Sequence, residues 1–85
     1  MNLDWLITFR SVTYAQRGER LLNRFGLDCT LRRTPRELSQ RGCGYCLAIR
    51  GRDAIAAAEL LREQEVPFGK VYARTAGGNM EERDL

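Results

Sequence analysis

Two helical stripes, each bracketed by short runs of alternating residues, constrain this chain more than any other feature of its sequence. Trp5-Leu6-Ile7-Thr8-Phe9-Arg10 alternates with period two, which sets Trp5, Ile7 and Phe9 on one face of a strand. Ser11 to Thr13 supplies helix-starting chemistry, with Thr13 and Gln16 reading as a capping box. Tyr14, Gly18, Leu21, Leu22 and Phe25 then recur at helical spacing, and Gly26 follows as a left-handed cap. Leu27 to Arg32 alternates again as a second strand. A loop rich in charge, Pro, Gly and Ser runs from Arg33 to Cys43, with one helical turn expected at Thr34-Pro35-Arg36-Glu37, Thr34 capping it and Glu37 reaching back. Tyr45 to Arg50 is a third strand, and a second helix is expected from about Ala54 to Glu65, stopped by Pro67. Lys70 to Arg74 is a fourth strand.

The order βαββαβ predicts an α+β, ferredoxin-like fold: a four-stranded antiparallel sheet with two helices on one face. Phase puts Trp5, Ile7, Phe9, Cys29, Leu31, Leu47, Ile49 and Val71 on the covered side. Thr8, Arg10, Thr30, Arg32, Cys46, Ala48, Arg50, Tyr72 and Arg74 fall on the open side. One domain is expected over residues 1–75, with 76–85 a polar, disordered tail.

An 85-residue chain makes one small domain with a modest core. No apolar run approaches the roughly 18–20 residues that span a bilayer, and the opening Met1-Asn2-Leu3-Asp4-Trp5 is not a signal peptide. A cytoplasmic location follows as the expectation. Three cysteines, an odd number, argue against a disulfide framework and for reduced thiols. The chain has no histidine, so the commonest metal ligand and the commonest general base are both missing, and neither metal nor cofactor is expected. A net charge of +3 suits an acidic partner without demanding nucleic acid.

Chemistry concentrates in the loop. Cys43 stands between Gly42 and Gly44, so almost no neighbouring side-chain bulk shields its thiol. Arg33, Arg36 and Arg41 lie close by in sequence with Glu37 as the one acid among them, and positive charge favours thiolate over thiol. Such a thiolate can attack a persulfide on a donor and take its outer atom. Cys29 alternates with core residues and reads as packing. Cys46 completes a Cys-x-x-Cys pair, but if extended the two Cα atoms stand roughly 10 Å apart, beyond disulfide reach unless the glycines bend the loop back. It reads equally as a resolving thiol or as filler on the open face. The arginines of that face, Arg10, Arg32, Arg50 and Arg74, with Tyr72 among them, give a weaker alternative: a small RNA-binding or protein-interaction module. The paired aromatics such a sheet uses are missing at Thr8, Arg10, Cys46 and Ala48.

Pro35-Arg36-Glu37-Leu38-Ser39 followed by Gly42-Cys43-Gly44-Tyr45 resembles the selenium/sulfur carrier-like family of short, stand-alone bacterial proteins. The likeness spans about Trp5 to Tyr72. It implies a carrier in place of an enzyme, with Cys43 as the carrier thiol and Pro35, Arg36 and Gly44 shaping its loop; Ser39 belongs to the same motif. Cys46 is not carried over, since the shared element is the Cys-Gly. A cysteine desulfurase or selenium-handling protein is implied as donor and a further protein as acceptor. Apart from the resemblance, the charge of Arg36 and Arg41 is expected to stabilise the Cys43 anion.

Overall fold

The computed structural model describes residues 4–38 and 44–85. Along the chain run β1 (Trp5–Phe9), α1 (Val12–Arg24), β2 (Cys29–Arg33), β3 (Tyr45–Ile49), α2 (Gly51–Glu63), β4 (Val71–Arg74) and β5 (Met80–Arg83). The strands form one antiparallel sheet in the order β2-β3-β1-β4-β5. The ferredoxin-like expectation is therefore met in part. Its α+β class and two helices hold, but the sheet has five strands where four were expected.

The fifth strand lies inside the segment read as a disordered tail. Met80-Glu81-Glu82-Arg83 has neither alternation nor β-branched residues, so nothing local announces it. Its conformation comes from the turn before it. The Gly78 N–H donates to Thr75 O at 2.9 Å, the Thr75 N–H donates to Asn79 O at 2.7 Å, and Gly78 takes φ +89. That tight three-residue connection, with glycine in the left-handed position, returns the chain along β4. Lys70–Glu82 and Arg83–Glu81 ion pairs decorate the ladder at 3.7 and 2.8 Å; both are half-exposed and contribute little.

Both helices pack on one side of the sheet. Ala15 and Leu22 from α1, with Ala54, Ala57 and Leu61 from α2, bury against Ile7, Phe9, Leu47, Ile49 and Val71. Gly18 lets α1 come close: a β-carbon there would meet Phe9, Leu47 and Leu61 at 3.1–3.3 Å.

Helix ends differ from expectation in instructive ways. The cap of α1 is Ser11, whose Oγ accepts from the Tyr14 N–H at 3.3 Å, and not Thr13. Gly26 does close the helix at φ +80, with the Leu27 N–H donating to Leu22 O and the Gly26 N–H to Asn23 O, a Schellman motif. The second helix begins at Gly51, three residues before the expected Ala54. The Arg50 side chain makes no capping bond there. Instead Asp4, 47 residues away, accepts from the Gly51 N–H at 3.2 Å, placing a carboxylate at the helix N-terminus. At its other end Glu65 takes φ 57, and the Val66 N–H donates to Leu61 O at 2.9 Å. No helix among the described residues is long and apolar enough to cross a membrane.

Candidate functional site

The β2–β3 connection is pinned at its base and along its first turn. The Thr34 N–H donates to Gly44 O at 3.1 Å, continuing the ladder one step past the Arg33–Tyr45 pair. The Arg33 guanidinium stacks on the Tyr45 ring at 5.8 Å from its centre. Residues 35–38 then turn, with the Leu38 N–H donating to Pro35 O at 2.9 Å. The expected single turn is present, but Thr34 does not cap it: its hydroxyl is buried and makes no hydrogen bond.

Leu38 accounts for what the loop does to the sheet. It packs on Leu6, Cys46 and Ala48, joined by Tyr72 and by Met80 from β5. The face expected to be open is thus partly covered. Cys46 and Ala48 have the predicted phase but no solvent contact at all. Leu38 is the one large aliphatic side chain in an otherwise polar loop, which is the sequence signal that it anchors something.

Cys46 sits in a row across three strands, opposite Arg32 on β2 and Thr8 on β1. Burial pushes its thiol up from the ordinary value; the adjacent Thr34 hydroxyl and then the Arg32 charge pull it partly back. Although Thr34 has no partner at hydrogen-bond geometry, it stands near enough to favour the ionised sulfur. Cys29 packs against the helix-side core, as its phase predicted. Its thiol is pushed up to about 12 by burial, then by Glu19 and Asp28. Both described cysteines therefore stay protonated at neutral pH.

Of the sequence-predicted site residues, Pro35, Arg36, Gly44 and Cys46 are placed, the first three around the loop base. Arg36 is exposed and Pro35 half-buried. Ser39, Arg41, Gly42 and Cys43 lie outside the described residues. Of the four open-face arginines, Arg32 and Arg74 line one cleft together, while Arg50 is engaged elsewhere. Arg50 is mostly buried and bonds Asp28 at 3.2 Å, and Arg74 donates to Gly78 O at 3.4 Å.

Concavities flank the sheet among the described residues. One, of about 780 Å³, lies between the end of α2 and the β4–β5 hairpin and contains no cysteine. Another, of about 70 Å³, is lined by Asp4, Leu6, Arg32, Arg33, Pro35, Cys46, Arg74 and Met80. Among the described residues no group of three or more His, Cys, Asp or Glu is placed to hold a metal ion.

An α+β domain whose β2–β3 connection is pinned at its base is the setting in which the family comparison falls. The family described as "Putative Se/S carrier protein-like" matches residues 4–73, and the chain belongs to it. The match runs from the Asp4 cap to Ala73 within β4 and takes in the whole loop sequence. No curated protein and no solved structure matches the chain.

Proposed function

We propose that this protein carries a single sulfur or selenium atom on Cys43, taking it from a donor persulfide or selenopersulfide and passing it to an acceptor. The observation that supports this best is membership of the Se/S carrier-like family across a stretch that includes the Pro35-Arg36 to Cys43-Gly44 loop. A second support is chemical. The two described cysteines have thiols raised by burial, which suits them to packing and leaves Cys43 as the carrier.

The transfer is a balanced displacement. Cys43 thiolate attacks the outer atom of the donor's persulfide and forms a new S–S bond, or S–Se for selenium. The donor's own bond to that atom breaks, and its electron pair leaves on the donor cysteine as thiolate. Delivery repeats the step with an acceptor thiolate attacking and Cys43 as leaving group. No oxidant or reductant is needed, because the atom moves at constant oxidation level. Arg36 and Arg41 stabilise the anion on Cys43. A cysteine desulfurase-type enzyme or a selenium-handling protein serves as donor, and the protein acts as co-substrate with no turnover of its own. Cys46 serves as packing beneath Leu38.

The test is a mass spectrum of freshly purified, unreduced protein. The tryptic peptide from Gly42 to Arg50 should carry one added sulfur or selenium, and its fragmentation should place that atom on Cys43. An atom found on Cys46 would reassign the carrier.

A further inference from the structure

The outer edge of β2 combines unpaired backbone with unpaired charge. We propose that it takes up an extended, acidic segment of a partner protein as an added antiparallel strand. The binding stands on geometry and charge alone; only its purpose, bringing a donor or acceptor to Cys43, rests on the carrier reading.

Position comes first. β2 is the end strand of the sheet, with β3 on one side and no strand among the described residues on the other. The Thr34 N–H donates to Gly44 O, one step beyond the Arg33–Tyr45 pair. Antiparallel alternation then turns the backbone of Thr30 and Arg32 towards β3, and the N–H and C=O of Leu31 and Arg33 outwards. An extended segment laid alongside can bond to both residues. Neither a proline nor a bulge interrupts the five-residue edge. β2 also ends at Arg33, where the connection that carries Cys43 begins.

Charge chooses the partner. Arg32 and Arg33 are both exposed, and as neighbours on a strand they point to opposite faces. Among the described residues neither has a carboxylate at ion-pair distance, and Asp28, just before the strand, bonds Arg50. The two arginines and Arg74 line a cleft in which Asp4 is the one acid, itself engaged by the Gly51 N–H. The opposite edge of the sheet differs: on β5, Glu82 pairs with Lys70 and Glu81 with Arg83. Two consecutive Asp or Glu residues in an added strand face Arg32 on one side of the sheet and Arg33 on the other. A second copy of β2 would instead crowd the arginines of both chains into one short seam, so like charge keeps the edge from pairing with itself.

The test titrates nitrogen-15-labelled protein with a synthetic peptide of about eight residues, rich in Val and Thr around a central Glu-Glu pair. Saturable amide shifts along β2 are expected, with slowed hydrogen exchange at Leu31 and Arg33, whose outward N–H groups gain acceptors. Arg32→Gln plus Arg33→Gln should weaken binding about three- to tenfold. Arg32→Gln alone, which keeps the Arg33–Tyr45 stack, should weaken it by a smaller factor. The same peptide with Lys-Lys at its centre, or with the amides that face β2 N-methylated, should not bind. No saturable shift at millimolar peptide, equal binding by either control peptide, or protection at β5 in place of β2 would each overturn the proposal. So would protection of Leu31 and Arg33 that rises with protein concentration alone, which assigns the edge to a second copy, or tighter binding of a single-stranded RNA at the same amides. Peptide binding without any atom found on Cys43 would leave the edge standing and sink the carrier reading; an atom on Cys43 with no peptide binding would sink the edge alone.

Discussion

Arg32 and Cys46 stand directly opposite one another on the β2–β3 ladder, a cation facing a sulfur that solvent does not touch. Burial raises the thiol pKa and the guanidinium works against that rise. Arg32→Gln should therefore move the Cys46 thiol higher still. The measurement is the pH profile of Cys46 alkylation in a Cys29→Ala, Cys43→Ser background. Its midpoint should shift to higher pH on removing the charge; an unchanged or lower midpoint would show that Arg32 does not act on this sulfur.

Leu38 packs, with Tyr72 and Met80, against the buried cluster that contains Cys46. Truncating it to Ala removes roughly 1–2 kcal/mol of apolar burial from the covering turn. That is about a tenfold gain in the exposed population, because 1.4 kcal/mol corresponds to a factor of ten. Alkylation of Cys46 should quicken about tenfold in Leu38→Ala while Cys29 keeps its rate. Equal acceleration at both cysteines would indicate global destabilisation in place of local uncovering.

The helix-side core was legible in the sequence because period and phase determine it. Ile7, Phe9, Leu47, Ile49 and Val71 all lie where alternation puts them, and the Gly26 cap is where a helix stripe runs out. What escaped sequence reading depends on partners distant along the chain. The start of α2 is set by Asp4 from the other end of the domain, and β5 exists because the Gly78 turn returns the chain to a waiting edge. The covering of the Cys46 cluster draws on Leu38 and Met80, and no local pattern joins residues 42 positions apart. Within the candidate site, alternation did place Arg32 and Cys46 on one face. The cleft itself, with Asp4 and Met80 in its wall, appears only in three dimensions.

Cys29 gives the fold a measurable alkaline limit. Its thiol ionises at about 12 in the folded chain against an ordinary 9.0 once unfolded. The folded state thus holds this proton more tightly, so its contribution to stability is complete below pH 9 and is lost as pH rises from 9 towards 12. Urea midpoints across that range should fall more steeply for the parent than for Cys29→Ala. Parallel slopes would mean the thiol is no better shielded folded than unfolded.

Glu65 closes α2 in the left-handed region at φ 57, a conformation that disfavours any side chain. Glu65→Gly should stabilise the domain by about 1 kcal/mol, read as a rise in Tm. The opposite substitution at the matching position of α1, Gly26→Ala, should cost a similar amount. A fall in Tm for Glu65→Gly would mean that its carboxylate makes a contact worth more than the backbone strain it relieves.

Incubation with a cysteine desulfurase and cysteine, followed by non-reducing mass analysis of the parent and of the three single Cys→Ser variants, addresses the carrier reading head-on. The account predicts one added sulfur on the parent, on the Cys29 variant and on the Cys46 variant, and none on the Cys43 variant. Labelling that persists in Cys43→Ser and disappears in Cys46→Ser would contradict it.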